Sequence, residues 1–147
     1  MQSKNEIGRM LGALHRNARN YFHHEFSRIG FGGGSHAFLM VLYKQDGVSQ
    51  NELSTILNFD KAHATRAIQK LMQLGYITRE RDEKDHRVYR IYLTEKARAK
   101  QEEIQKVLGN WTDIIAADLS AEEIEIFTTL LSKMTVNARE FLKQGKC

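Results

Sequence analysis

Five cations fall within twelve residues: Arg79, Arg81, Lys84, Arg87 and Arg90. They lie in two β-prone runs, Tyr76 to Arg81 and Val88 to Leu93, joined by the polar tip Asp82-Glu83-Lys84-Asp85-His86. A cationic hairpin of this kind can neutralise phosphates and carry its tip toward a minor groove. Narrow A/T-rich grooves concentrate negative potential and attract arginine. Arg87, at the exit from the tip, is the expected inserter, with Arg79 and Lys84 beside the backbone. Asp82 and Asp85 have the wrong sign for that partner. Their expected use is to hold Arg87 extended through carboxylate–guanidinium hydrogen bonds. Read alone, the same residues also describe a solvated surface hairpin with no partner.

The segment upstream decides between these readings. Phased at 100° per residue, Lys61 to Leu74 places Ala64, Ile68 and Leu71 on one side, with Ala67 and Leu74 at its edge. Ala62, Arg66, Gln69 and Gln73 fall opposite, with Thr65 and Lys70 on the flanks. A recognition helix reads bases from its N-terminal half, so Ala62, Thr65, Arg66 and Gln69 are the candidate base readers. Arginine pairs with guanine and glutamine with adenine, while Ala62 can meet a thymine methyl. Lys61 and Lys70 suit phosphates, and His63, near the border, suits either. An amphipathic helix always has a polar face; this one gains meaning from its neighbours.

Those neighbours are legible. Ser49-Gln50-Asn51-Glu52 is a capping box, opening a short helix through Leu53, Ile56 and Leu57. Asn58-Phe59-Asp60 is a tight turn, and Asp60 can cap the next helix, which Gly75 closes. Two short helices across a three-residue turn make a helix-turn-helix, and the hairpin directly after it is a wing. Upstream, Ile7, Leu11, Leu14, Ala18, Phe22, Phe26 and Ile29 form one apolar stripe, predicting a helix from Asn5 to Ile29. The run Gly30 to Gly34 breaks it, and Ser35 is a candidate cap for a helix through Ala37, Phe38, Val41 and Leu42. Downstream, Thr94 can cap a long helix through Ile104, Val107, Leu108, Trp111 and Ile115. A second capping box, Ser120 to Glu123, opens a last helix carrying Ile124, Phe127, Leu131, Met134, Ala138 and Phe141. The fold class is therefore mainly α, an α+β winged helix-turn-helix. Its core needs only about Ser35 to Leu93, so the long outer helices are expected to pack on a second copy in a two-fold dimer.

Composition agrees. The chain has 147 residues, no proline and a net charge of +4. Ten basic residues face five acidic ones between Lys61 and Arg98, so this quarter of the chain carries the whole positive excess. No apolar run reaches the length of a membrane helix, and the start lacks the pattern of a signal peptide. The single cysteine, Cys147, cannot staple the fold, which predicts a cytoplasmic protein.

At the helix-turn-helix and wing the sequence resembles the MarR family of bacterial transcription regulators. Arg79, Asp82, Asp85, Arg87, Ile91, Leu93 and Thr94 match the family's wing pattern. Asp60-Lys61, Thr65-Arg66, Leu71 and Gly75-Tyr76-Ile77 are similar to its recognition-helix pattern. Ala97 replaces the usual glycine, Glu83-Lys84 stands where proline is frequent, and Ala62 and His63 replace Ser and Thr. The resemblance implies one MarR-type domain. Residues 1–34 and 95–147 would be its helical dimerisation region and residues 35–94 its winged region. It further implies a homodimer on a pseudo-palindromic duplex DNA site, acting as a repressor. An effector pocket lined by His15, Arg19, Phe22, His36, Phe38 and Trp111 would suit a small aromatic or phenolic ligand; ordinary interhelical core is the competing reading of these six.

Other signals point to no further chemistry. His23, His24, Glu25 and His36 are an unpromising metal set, because adjacent helical residues point about 100° apart. Metal-binding members of the family draw histidines from the helix after the wing, and none follows His86 here. The glycine run lacks the lysine of a phosphate loop, and no nucleophile, base and oxyanion set is apparent. Neither cofactor nor enzymatic activity is expected. The rival reading is a winged-helix protein-interaction module without DNA binding, against which the charge concentration argues.

Overall fold

A computed structural model describes residues 4–31 and 35–145. Six helices and one hairpin follow in the order α1 (Lys4–Arg28), α2 (His36–Lys44), α3 (Gln50–Leu57), α4 (Lys61–Gln73), β1 (Ile77–Arg81), β2 (Tyr89–Leu93), α5 (Glu95–Ile115) and α6 (Ala121–Lys143). The chain forms two compact units, residues 1–111 and 112–147. Most of the Gly30 to Gly34 break lies outside the described residues.

Local sequence signals set the helix ends. Both capping boxes form: the Ser49 hydroxyl accepts from Glu52 N–H while the Glu52 carboxylate accepts from Ser49 N–H, and Ser120 and Glu123 repeat the exchange. Asp60 accepts from His63 N–H at 2.7 Å. Ser35 stands at the cap of α2, but its side chain makes no capping bond. At its C-terminus α4 ends on Gly75 at φ +79°, with Tyr76 N–H donating back to the Leu71 carbonyl. The end of α1 repeats this geometry, with Gly30 at φ +72° and Phe31 N–H donating to the Phe26 carbonyl. Only glycine enters this left-handed region without cost. The aromatic residues that follow the two glycines, Phe31 and Tyr76, then meet in the core with ring centroids 5.0 Å apart.

That core joins every element of the first unit. Phe38, Leu39, Leu42, Leu53, Ala64, Ile68, Leu71, Ile91, Ala97 and Ile104 are fully buried. Each large apolar side chain removed from water contributes about 1.5–3 kcal/mol before entropy is charged. The outer helices are divided in use. The C-terminal half of α1 supplies Phe26, and α5 supplies Ala97, Ile104 and Val107. Ile7, Met10 and Leu14 in the first half of α1 stay exposed. The predicted α1 stripe is thus covered by this chain only along its second half. In the second unit α6 buries none of its residues, and Ile124, Phe127, Leu130, Met134 and Phe141 are exposed.

The hairpin is antiparallel, pairing Ile77 with Leu93, Arg79 with Ile91 and Arg81 with Tyr89. A third backbone segment joins it. Ile91 exchanges hydrogen bonds with Gly47 and Val48, and Ser49 bridges to Arg90. The α2–α3 connection therefore stitches onto the free edge of β2.

Candidate nucleic-acid interface

On α4 the predicted phase holds. Ala64, Ile68 and Leu71 are buried, Ala67 and Leu74 are half-buried, and Ala62, Arg66, Gln69 and Gln73 are exposed on the other side. Lys61, His63 and Lys70 are exposed beside them. Thr65 is drawn toward α3. Its hydroxyl donates to the Lys61 carbonyl and accepts from Gln50 Nε2, so it is already engaged within the helix-turn-helix.

The wing is built from its own acids. Asp82 Oδ1 accepts from the N–H groups of Lys84 and Asp85 at 2.8 and 3.1 Å, closing the tip. Asp85 grips Arg87 with both oxygens, Oδ1 to Nε at 3.0 Å and Oδ2 to Nη2 at 3.2 Å, and also accepts Arg87 N–H. The Arg87 side chain is nonetheless 91% exposed. Asp82 does not hold Arg87, contrary to the sequence expectation. Its second oxygen takes Arg90 Nε, and Arg90 Nη1 donates to the Gly47 carbonyl at 3.0 Å. The division has a geometric cause: Asp85 is two residues from Arg87, whereas Asp82, just past the end of β1, reaches Arg90 diagonally across the hairpin. Hydrogen bonds from Arg90, then from the Asp85 and Lys84 backbone, hold the Asp82 carboxyl down at about 2. Arg87 lowers Asp85 likewise.

Along β1 the Arg79 guanidinium lies 4.4 Å from the centre of the Tyr89 ring, and Arg81 follows at 5.6 Å. Arg79 is exposed, as is Lys84 at the tip. At the wing's root Asp46 Oδ1 accepts the N–H groups of Gly47 and Leu93, and its Oδ2 accepts from Arg98 on α5. The bracing roles of Arg90 and Asp46 were missed. Arg90 reaches the Gly47 carbonyl, and Asp46 the Leu93 amide and the Arg98 guanidinium, all far along the chain, which residue type and spacing do not disclose.

Of the six predicted pocket residues, three share a cavity. Arg19, Phe22 and His36 line an open cleft of about 870 Å³, together with Arg16, His23 and Phe31 among others. His15 is exposed and lies outside its lining. Trp111 packs on the rings of Tyr21 and Phe22 instead. Phe38 is the clearest correction: it is fully buried and stacks on Phe59. Helix α2 is apolar nearly all round, so periodicity could not tell its core face from a pocket face. Burial pushes the His36 imidazole below its ordinary range, favouring the neutral ring.

A sequence model of the MarR family matches residues 29–88. The transcriptional regulator BilQ from Clostridium symbiosum is 34% identical over 110 residues, covering 75% of this chain and 76% of that protein. A MarR transcriptional regulator from Methanosarcina mazei Go1 is 34% identical, covers 96% of this chain and 94% of its own, and superposes with a TM-score of 0.83.

The chain belongs to the MarR family of transcriptional regulators.

A MarR protein from Peptoclostridium difficile, 30% identical, matches over 99% of this chain and 97% of its own at a TM-score of 0.89. The MarR winged-helix architecture thus extends through the outer helices as well as the core. Among the described residues no helix is long and apolar enough to cross a membrane.

Proposed function

We propose that this MarR-family chain binds duplex DNA sequence-specifically as a two-fold homodimer and represses transcription from a pseudo-palindromic operator. One observation carries the reading. The exposed face of α4, with Ala62, Arg66 and Gln69, stands beside a wing whose outermost cation, Arg87, is held out by Asp85. Arg66 and Gln69 would read base edges in the major groove. Lys61, Lys70, Arg79 and Lys84 would take phosphates, and Arg87 the adjacent minor groove. The partner copy is inferred from apolar stripes this chain leaves uncovered, Ile7, Met10 and Leu14 on α1 and Phe127, Met134 and Phe141 on α6. In this reading the outer helices serve dimerisation, the winged segment serves DNA, and the protein is a regulator rather than an enzyme.

Retardation of duplex DNA across a salt series tests it. Affinity should fall steeply as salt rises, because bound phosphates shed counterions. A flat response would favour the protein-interaction module. A monomer in sedimentation at micromolar concentration would remove the dimer.

The cleft supports a second element of the reading, a small aromatic or phenolic acid as releasing ligand. Arg16 and Arg19 supply positive donors and His23 a polar ring, while Phe22, Phe26 and Phe31 supply apolar rings. Such a ligand releases DNA only by preferring a dimer whose recognition helices are wrongly spaced. Salicylate is a suitable probe: it should weaken DNA binding in the wild type and have no effect on Arg19→Ala.

A further inference from the structure

His63 is the third residue of α4, and its ring is not left to wander. It lies flat on Phe59, with centroids 4.3 Å apart and planes 20° from parallel. Phe59 in turn stacks on Phe38, at 5.4 Å and 23°, and Phe38 is wholly buried. Three rings thus run from the core to the surface and end in an imidazole. The backbone beneath is fixed too, since His63 N–H donates to the Asp60 cap. The residue is exposed, and its ring nitrogens have no hydrogen-bond partner among the described residues. This is an oriented donor edge that nothing among the described residues uses.

We propose that His63 reads one base pair, donating a ring N–H to the N7 of a purine in the major groove, and that Phe59 is its positioning residue. The inference rests on the DNA-binding reading above. The N-terminal turn of a recognition helix is the part that meets base edges, and both purines present an N7 acceptor there. Stacking supplies what a single hydrogen bond otherwise lacks. An exposed histidine gives up rotamer freedom on binding, whereas a ring already seated against Phe59 has lost most of it beforehand. A phosphate contact needs no such seating, because charge attraction tolerates many poses; the stack therefore favours base reading over backbone contact.

Selection of bound sequences from random duplex DNA, run on the full-length protein, tests this. The wild type should enrich a site with a purine preference at one position in each half. His63→Ala should flatten that position by roughly 3- to 10-fold, the size of one net hydrogen bond, and leave the others unchanged. His63→Asn, whose amide pairs with adenine, should shift the same position toward adenine. Phe59→Leu should blur that position alone, whereas a merely structural role would weaken all positions together or lower the unfolding temperature without changing base preference. An unchanged preference profile in His63→Ala overturns the inference and leaves DNA binding standing. Failure of the wild type to enrich any sequence or retard duplex DNA overturns both.

Discussion

Helix α4 and the wing both present cations to solvent, but they are held by different forces. The helix is pinned from behind by Ala64, Ile68 and Leu71, all buried, and its polar face is whatever that burial leaves over. The wing is packed at its root, through Ile77, Ile91 and Leu93, but its outer part has little behind it. Beyond Ile77, β1 is exposed along its length. Its shape comes from hydrogen bonds among Asp82, Asp85, Arg87 and Arg90. Core packing fixes a surface whatever the salt or pH, while ion-pair bracing gives a surface whose order depends on both. The proposed base reading and groove insertion would thus rest on two separate kinds of support.

The sharpest way to break the comparison is through the core. Ile68→Ala should cost about 2–5 kcal/mol of stability, read as a lower unfolding temperature, and should remove α4 and wing function together. Next, Arg66→Ala should relax preference at one base pair per half-site by about 1–3 kcal/mol, leaving stability unchanged. On the wing, Arg87→Ala should reduce the slope of log affinity against log salt by about one and weaken A/T-rich flanks most. Arg90→Gln should weaken the same flanks less, with no change in slope, since Arg90 acts through the backbone of Gly47 and the carboxylate of Asp82. If Arg90→Gln alters the slope as Arg87→Ala does, the two arginines share one role and the brace is wrongly assigned. The smallest effect is acid dependence. Asp82 is held near 2 against an ordinary 3.8, so the ion form is favoured in the folded hairpin. Its contribution is complete above about 3.8, declines as pH falls and is gone below about 2. Protection of the Lys84 and Asp85 amides, taken relative to the intrinsic exchange rate at each pH, should hold down to about pH 3.8 and fall below it.

What was legible in the sequence follows the same line. Capping boxes, apolar phase and glycine stops are local, and the helices and hairpin fall within a residue or two of their expected ends. The exposed α4 face came with them, because one side of a helix is fixed by the other. The wing was only half legible. Asp85 and Arg87 are close in sequence and pair as expected. Asp82 chooses Arg90 because the hairpin register and the Gly47 carbonyl put it there, and neither can be counted off along the chain. Phe38 failed for a related reason: its helix is apolar on most sides, so depth depends on what the rest of the fold brings against it. The His63 stack needed three rings from two helices and the turn between α3 and α4, a coincidence that only the folded chain discloses.

Asp46 ties three elements together. One carboxylate fastens the Gly47 and Leu93 amides and the Arg98 guanidinium, so the α2–α3 turn, the end of β2 and the first turns of α5 share a rivet. The last residue of β2 and the start of α5 therefore depend on one side chain, and losing that carboxylate would release both from the α2–α3 turn at once.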